Sequence, residues 1–213
     1  MQIGLFGGSF NPPHLAHLLL STYVLEATAL DEVWWVPTWA HAFAKELLPF
    51  EQRVRMVEVL LQPYPNMRVD RVEERLGGVS YMFETLSALR DAHRDVDFHL
   101  LVGADVLEEL PRWHRSDELL EMVDLIAVGR PGCLIPKGLA PRVQLLPIEL
   151  PDISSTHVRE LLGRGQSTTG LVAHSVARHI EQKQLYRAAN QARGQIDAQG
   201  QVISRPKEDE APA

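Results

Sequence analysis

Short apolar runs alternate with amphipathic stretches along most of this chain, and that alternation narrows the possible folds more than any other feature. Ile3-Gly4-Leu5-Phe6 runs into Gly7-Gly8, Val33-Trp34-Trp35-Val36 precedes Pro37, and Met67-Arg68-Val69-Asp70 follows Pro63 and Pro65. Further runs stand at 97–102, 125–128 and 143–146. Runs of this length, bounded by Gly and Pro, suit strands buried on both faces. Between them Leu15, Leu18, Leu19, Thr22 and Leu25 recur at helical spacing, and Val54, Val57, Leu60 and Leu61 do so again. The spacing predicts helices over 13–29 and 50–62, with others at 80–92, 119–123, 155–162 and 171–184. Strands alternating with helices predict an α/β fold: a Rossmann-like, doubly wound parallel sheet with helices on both faces. Such sheets bind ligands outside the carboxyl ends of their strands.

Composition limits the function. A chain of 213 residues buries about 70% of its unfolded surface and needs no disulfide or metal staple. Its single cysteine, Cys133, leaves no internal disulfide framework and suits a reduced, cytoplasmic setting. The net charge of -7 argues against sequence-blind nucleic-acid binding, which needs a basic face. It does not oppose a small anionic ligand, which local geometry can hold. The first residues lack the basic n-region of a signal peptide, and no apolar run approaches the ~18 residues of a membrane span. From Ala188 the chain turns to Gln, Gly, Ala and Asp and ends Lys-Glu-Asp-Glu-Ala-Pro-Ala. The expectation is one domain over 1–187 and a disordered tail over 188–213.

Two segments carry chemistry. Gly7-Gly8-Ser9-Phe10-Asn11-Pro12-Pro13-His14-Leu15-Ala16-His17 lies between the first strand and the first helix. Glycines there let backbone and ligand approach closely, and a helix N-terminus offers free N–H groups to an anion. His14 and His17, three apart, share one face of the first turn, so two imidazoles join that cradle. Solvent-facing or core histidines are the plainer alternative, and zinc would want a third ligand at helical spacing. Nine histidines stand in the chain, and only this pair is so placed. The second segment is Ile153-Ser154-Ser155-Thr156-His157-Val158-Arg159. Hydroxyls opening a helix are commonly caps, yet with a guanidinium one turn inside they also suit a polyphosphate. No Gly-x-x-x-x-Gly-Lys-Ser/Thr and no Gly-x-Gly-x-x-Gly follows the first strand, so a Walker-type NTPase and a dinucleotide-dependent dehydrogenase are both disfavoured.

Together, Gly8-Ser9-Phe10-Asn11-Pro12-Pro13-His14 with His17, then Ile153-Ser154-Ser155-Thr156 and Arg159, resemble the HxGH nucleotidyltransferase superfamily. Ala16 stands where that pattern has Gly. Within it the chain is similar to bacterial nicotinate-nucleotide adenylyltransferases, through Ser80-Tyr81 with Thr85-Leu86, Gly103-Ala104-Asp105, Arg112-Trp113-His114, Arg130-Pro131-Gly132 and Leu185-Tyr186. These come in the family's order over residues 3 to about 187. Met82 replaces the usual Thr, and Glu84 stands where Asp is common.

The resemblance implies an enzyme that joins nicotinate mononucleotide to ATP, giving nicotinate adenine dinucleotide and pyrophosphate. It implies that His14, His17 and Arg159 are catalytic, and that Gly7, Gly8, Ser9, Phe10, Asn11, Ser154, Ser155 and Thr156 bind ATP, with Arg130 flanking the adenine. Tyr81, Thr85 and Asp105 would line the mononucleotide site, Trp113 would stack on the pyridine ring, and His114 would lie beside it. His41 and Lys45 are expected to meet the mononucleotide phosphate. Mg²⁺ is expected as the companion of ATP, with no protein metal site. Neither a membrane nor nucleic acid is an expected partner, and oligomeric state is open. The rival readings are a related adenylyltransferase for nicotinamide mononucleotide or phosphopantetheine, and a non-catalytic nucleotide-binding regulator.

Overall fold

The computed structural model describes residues 1–40, 47–130, 132 and 134–186. The tail expected over 188–213 and the pair His41 and Lys45 lie outside these residues.

The chain runs β1 (Gln2–Gly8), α1 (Leu15–Ala27), β2 (Glu32–Pro37), α2 (Phe50–Leu61), β3 (Met67–Val69), α3 (Val72–Leu76), α4 (Met82–Ala92) and β4 (Asp97–Gly103). It continues with α5 (Ser116–Met122), β5 (Asp124–Gly129), β6 (Val143–Pro147), α6 (Ser155–Gly163) and α7 (His174–Gln182). The six strands form one sheet in the order β3-β2-β1-β4-β5-β6, and every neighbouring pair is parallel. Chain direction across the sheet reverses between β1 and β4, so a crevice opens beyond their carboxyl ends. Gly8 pairs with Pro37 there on one side of β1, and Leu5 with Leu100 on the other.

Period-two alternation along the strands splits the core. Trp35 joins Phe6, Leu18, Val57, Val158 and Val176 on one face, under α1, α2, α6 and α7. Trp34 joins Leu5, Phe83, Leu86, Leu100 and Leu119 on the other, under α4 and α5. Both indoles are at most 1% exposed, so this dipeptide is core on two sides. The parallel, doubly covered sheet is the architecture that the strand–helix alternation predicts.

Boundaries moved where side chains intervened. The first helix starts at Leu15, not at 13, because His14 holds the extended backbone of an N-cap. α7 starts at His174, since Leu171 spends its carbonyl on the Leu15 N–H at 2.9 Å and Val172 turns into the core. α5 begins three residues before the expected 119. α3 was not expected at all: five residues carry too little periodicity, and what starts it is the Asp70 carboxylate, which accepts the Val72 N–H at 2.8 Å.

Candidate active site

β1 delivers the chain to the crevice, and the loop from Gly8 to His14 is shaped by packing. Phe10 is buried at a left-handed φ of 46°, unusual for a bulky residue and held here by its surroundings. A Cβ on Gly8 would stand 3.0 Å from that ring, and one on Gly7 would meet the Met82 terminal methyl at 2.7 Å. The room at both glycines is therefore taken up by side chains of this chain, not left bare for a ligand as expected.

His14 and His17 stack with ring centroids 3.5 Å apart and planes 18° from parallel. The His14 backbone N–H donates to His17 Nδ1 at 3.1 Å, half of a capping box with an imidazole in the glutamate role. An accepting Nδ1 leaves the His17 proton on Nε2. Phe6, Phe10 and Trp35 surround His17 edge-on, with centroids 5.3–6.1 Å away. Burial lowers the His14 imidazole to about 4. Burial first, and then the neighbouring His14, hold His17 well below the ordinary imidazole range. Both rings are neutral at pH 7, and the pair presents hydrogen-bond donors without fixed charge. Ala16, beside them, is buried, and its methyl is accommodated.

The neutral pair has a consequence for stability. The unfolded chain protonates His14 near 6.5, and the folded chain does so only near 4. Between those values the unfolded state binds more protons, so stability falls as pH drops from 6.5 towards 4 and is intact above 6.5. A shift of this size is worth about 3 kcal/mol. Urea melts at pH 7.5 and 5.0 should show the loss, and His14→Asn should show a smaller one. An unchanged pH dependence in His14→Asn would contradict the assignment.

The second segment closes onto the first. Ser155 Oγ donates to the Pro12 carbonyl at 2.8 Å across 143 residues of sequence. Arg159 Nη1 donates to the Asn11 carbonyl at 2.9 Å across 148, and its Nη2 reaches Thr156 Oγ1 at 3.1 Å. Ser154 is a true cap, accepting the His157 N–H at 3.2 Å. Tyr186 completes the cluster by donating to Asn11 Oδ1 at 2.8 Å. The structure thus gathers His14, His17, Asn11, Ser155, Thr156 and Arg159 at one place.

The remaining candidates fall into two neighbouring groups. Tyr81 lies against His114, ring centroids 4.3 Å apart, and Glu84 stands 3.8 Å from His114 Nε2. Thr85 is 1% exposed, and its hydroxyl is committed to Glu73 Oε1 at 3.1 Å. The Trp113 ring is partly buried against the hydrophobic cluster that holds Trp34 and Leu100. The Leu110–Arg112 turn, which takes the Trp113 N–H on the Leu110 carbonyl at 3.0 Å, carries it inward. Asp105 and Arg130 line a separate cavity of about 710 Å³ beyond β4 and β5 with Gly103, Gly129, Ile148 and Leu150. A Cβ on Gly103 would displace the Asp105 carboxylate from its present position. Among the described residues no group of three or more His, Cys, Asp or Glu is placed to hold a metal ion.

Two residues of consequence were missed. Arg53 is 1% exposed and Glu73 5%. Arg53 donates to three backbone carbonyls: Leu48 at 3.0 Å, Ser9 at 2.9 Å and Trp39 at 3.4 Å. The signal was available for Arg53, which shares the apolar face of its helix with Val57 and Leu60 at i+4 and i+7. Glu73 sits in the short α3, where no periodicity could mark it.

The Cytidylyltransferase-like family profile matches residues 5–161. A protein named probable nicotinate-nucleotide adenylyltransferase from Salinibacter ruber is 42% identical over 88% of this chain and 98% of its own length. One of the same name from Geobacillus thermodenitrificans is 36% identical over 88% and 87%. The chain belongs to the nicotinate-nucleotide adenylyltransferase family. The fold agrees with that of Plasmodium falciparum nicotinic acid mononucleotide adenylyltransferase, solved as its complex with NaAD. That structure superposes with a TM-score of 0.76 at 19% identity, over 87% of this chain and 97% of the other. The α/β fold is thus that of a nicotinic acid mononucleotide adenylyltransferase structure. Among the described residues no helix is long and apolar enough to cross a membrane.

Proposed function

We propose that this chain joins nicotinate mononucleotide to ATP by direct in-line transfer of the adenylyl group. A phosphate oxygen of the mononucleotide bonds to the ATP α-phosphorus. The bond from that phosphorus to the bridging oxygen breaks, and its electron pair leaves with pyrophosphate. The attacking oxygen is already anionic, so the protein needs no covalent nucleophile and no strong base. Its task is positioning and stabilisation of charge on the transferring group.

The observation that carries this reading is the bonding of the α6 N-terminus onto the Asn11–Pro12 backbone beside the stacked histidines. It brings neutral donors, hydroxyls and a guanidinium together at the β1–β4 switch point. His14 and His17 hold the ATP phosphates, with the His17 Nε2–H nearest the developing charge, and Gly7, Gly8, Ser9, Phe10 and Asn11 form the loop beneath. Ser155, Thr156 and Arg159 receive the leaving pyrophosphate, and Ser154 keeps their helix end in place. Arg130 and Asp105 border the adenine and ribose in the cavity beyond β4. Tyr81 and His114 offer the open ring surface for the pyridine, with Trp113 as the wall behind them, while Thr85 serves through Glu73. His41 and Lys45 meet the mononucleotide phosphate. Imidazoles, hydroxyls and a guanidinium are poor ligands for Mg²⁺, which prefers carboxylate and water oxygens. The ion therefore enters with ATP as part of the substrate. The same reading places the chain in the cytoplasm with its substrates.

The test compares kcat/KM for nicotinate and nicotinamide mononucleotides with ATP and Mg²⁺. A preference of about tenfold or more for the acid is expected, since a site built for a charged group leaves its donors unpaired with the amide. Comparable values would overturn the nicotinate assignment, and turnover of phosphopantetheine instead would overturn the substrate class.

A further inference from the structure

The backbone of Trp39 is held at its N–H and at its carbonyl by two buried charged side chains. Glu73 Oε2 accepts its N–H at 2.9 Å, and Arg53 Nη2 donates to its carbonyl at 3.4 Å. Neither charged group reaches solvent, and they are not in direct contact as an ion pair among those observed. Each also holds a different part of the site. Arg53 reaches the Ser9 carbonyl at 2.9 Å, in the loop that leads to the histidines. Glu73 takes the Thr85 hydroxyl at 3.1 Å, one turn into the helix that begins beside Tyr81. The segment between them is tied at both ends as well: Thr38 N–H donates to the Gly8 carbonyl at 2.9 Å and Ser80 N–H to the Ala40 carbonyl at 2.9 Å.

We propose that Arg53 and Glu73 act together as a positioning device that fixes the spacing between the ATP-phosphate loop and the mononucleotide side of the crevice, through the backbone of Trp39. This rests on the reading of the site as an adenylyl-transfer centre. Neither residue touches substrate. Each half-site keeps its own recognition groups without the pair, but the attacking oxygen and the α-phosphorus meet in line only when the halves are correctly spaced. Displacement of about 1 Å costs on the order of 10²-fold in rate. The guanidinium suits the task because its fork of five donors serves three carbonyls at once, which an ammonium on a flexible stem does not reproduce.

The experiment uses the full chain with Glu73→Gln and Arg53→Lys, and measures three quantities for each. They are kcat with both substrates saturating, and the Kd and stoichiometry for a non-reacting α,β-methylene ATP alone and for nicotinate mononucleotide alone. The expected result is full stoichiometry and each Kd within about threefold of wild type, while kcat falls about 30-fold or more. A purely structural role would instead lower stoichiometry and kcat together. The proposal is overturned if folded Glu73→Gln keeps kcat within threefold, or if its loss lies wholly in one Kd. Glu73→Gln keeps the size of the side chain but has one oxygen where the carboxylate uses two, for the Trp39 N–H and the Thr85 hydroxyl, so it disturbs the grip without a cavity and decides the matter even where Arg53→Lys does not fold. Wild type that makes no dinucleotide from the two substrates brings down the adenylyl-transfer reading itself. Wild type that turns over, beside variants that match it, brings down the positioning pair alone.

Discussion

His17→Ala is expected to lower kcat by about 10²-fold to 10³-fold, the usual cost of removing one preorganised donor from a site of developing oxyanion charge. Alanine removes two things at once, however. It deletes the Nε2–H proposed to meet the phosphates, and it deletes the Nδ1 that accepts the His14 N–H at 3.1 Å. Two further variants separate them. Asn carries an acceptor near the position of Nδ1 but no donor near Nε2, and Gln does the reverse. His17→Asn should therefore keep the helix start and melt within about 1 kcal/mol of wild type, as for a retained cap, yet lose rate nearly as badly as alanine. His17→Gln should recover part of the rate. Because the ring is neutral at pH 7, its contribution is a directed hydrogen bond and not a fixed positive charge. Single-turnover kinetics on the three variants measure this directly. A turnover for His17→Ala within threefold of wild type, or an Asn variant as fast as the Gln variant, would remove His17 from the phosphate site.

The second large effect concerns stability. Arg53→Met should cost about 3–5 kcal/mol in urea unfolding at pH 7.5, because it leaves three carbonyls without their donor, at about 1–3 kcal/mol for each one buried, and takes a nearby positive charge from the buried Glu73 carboxylate. The sign with pH distinguishes this from a simple packing loss. Burial already pushes the Glu73 carboxyl up, against hydrogen bonds from Ser80, Trp39 and Thr85 and the charge of Arg53 that pull it down. Without Arg53 it rises further. A carboxyl whose folded value lies above its unfolded value takes up a proton on folding, so the folded state gains relative stability as pH falls. The deficit of Arg53→Met against wild type should accordingly be smaller at pH 5 than at pH 8. The histidine contribution is common to both proteins and cancels in that difference. A deficit below about 1 kcal/mol, or one that grows on acidification, would show that the guanidinium does not compensate Glu73.

Local pattern carried a reader far along this chain and then stopped for identifiable reasons. All six strands were legible because each is a short apolar run between breakers. α2 was legible because Val54, Val57 and Leu60 share one stripe. The His14–His17 pair was legible because a three-residue step on a helix puts two rings on one side, and they do stack. Ser154 was ambiguous between cap and ligand, and its bond to the His157 N–H resolves the local part of that question. The partial burial of Trp113 was not legible, because polar neighbours in sequence do not reveal a turn that carries the indole back against the core. Gly7 and Gly8 were read as openings for a ligand, whereas Met82 and the Phe10 ring stand where their side chains would be.

By itself, then, the sequence determined the strand–helix alternation, the parallel sheet it implies, and two phosphate-suited segments, because all of these depend on spacings within a few residues. Tertiary structure alone decided that Ser155 and Arg159 are fastened to Pro12 and Asn11, that both histidines are neutral through burial, and that a buried Arg53 and Glu73 hold the backbone of Trp39 between them. Hydrogen bonds across more than 140 residues and the desolvation of a ring or a charge depend on what the folded chain packs around each group. No spacing along the sequence encodes that packing.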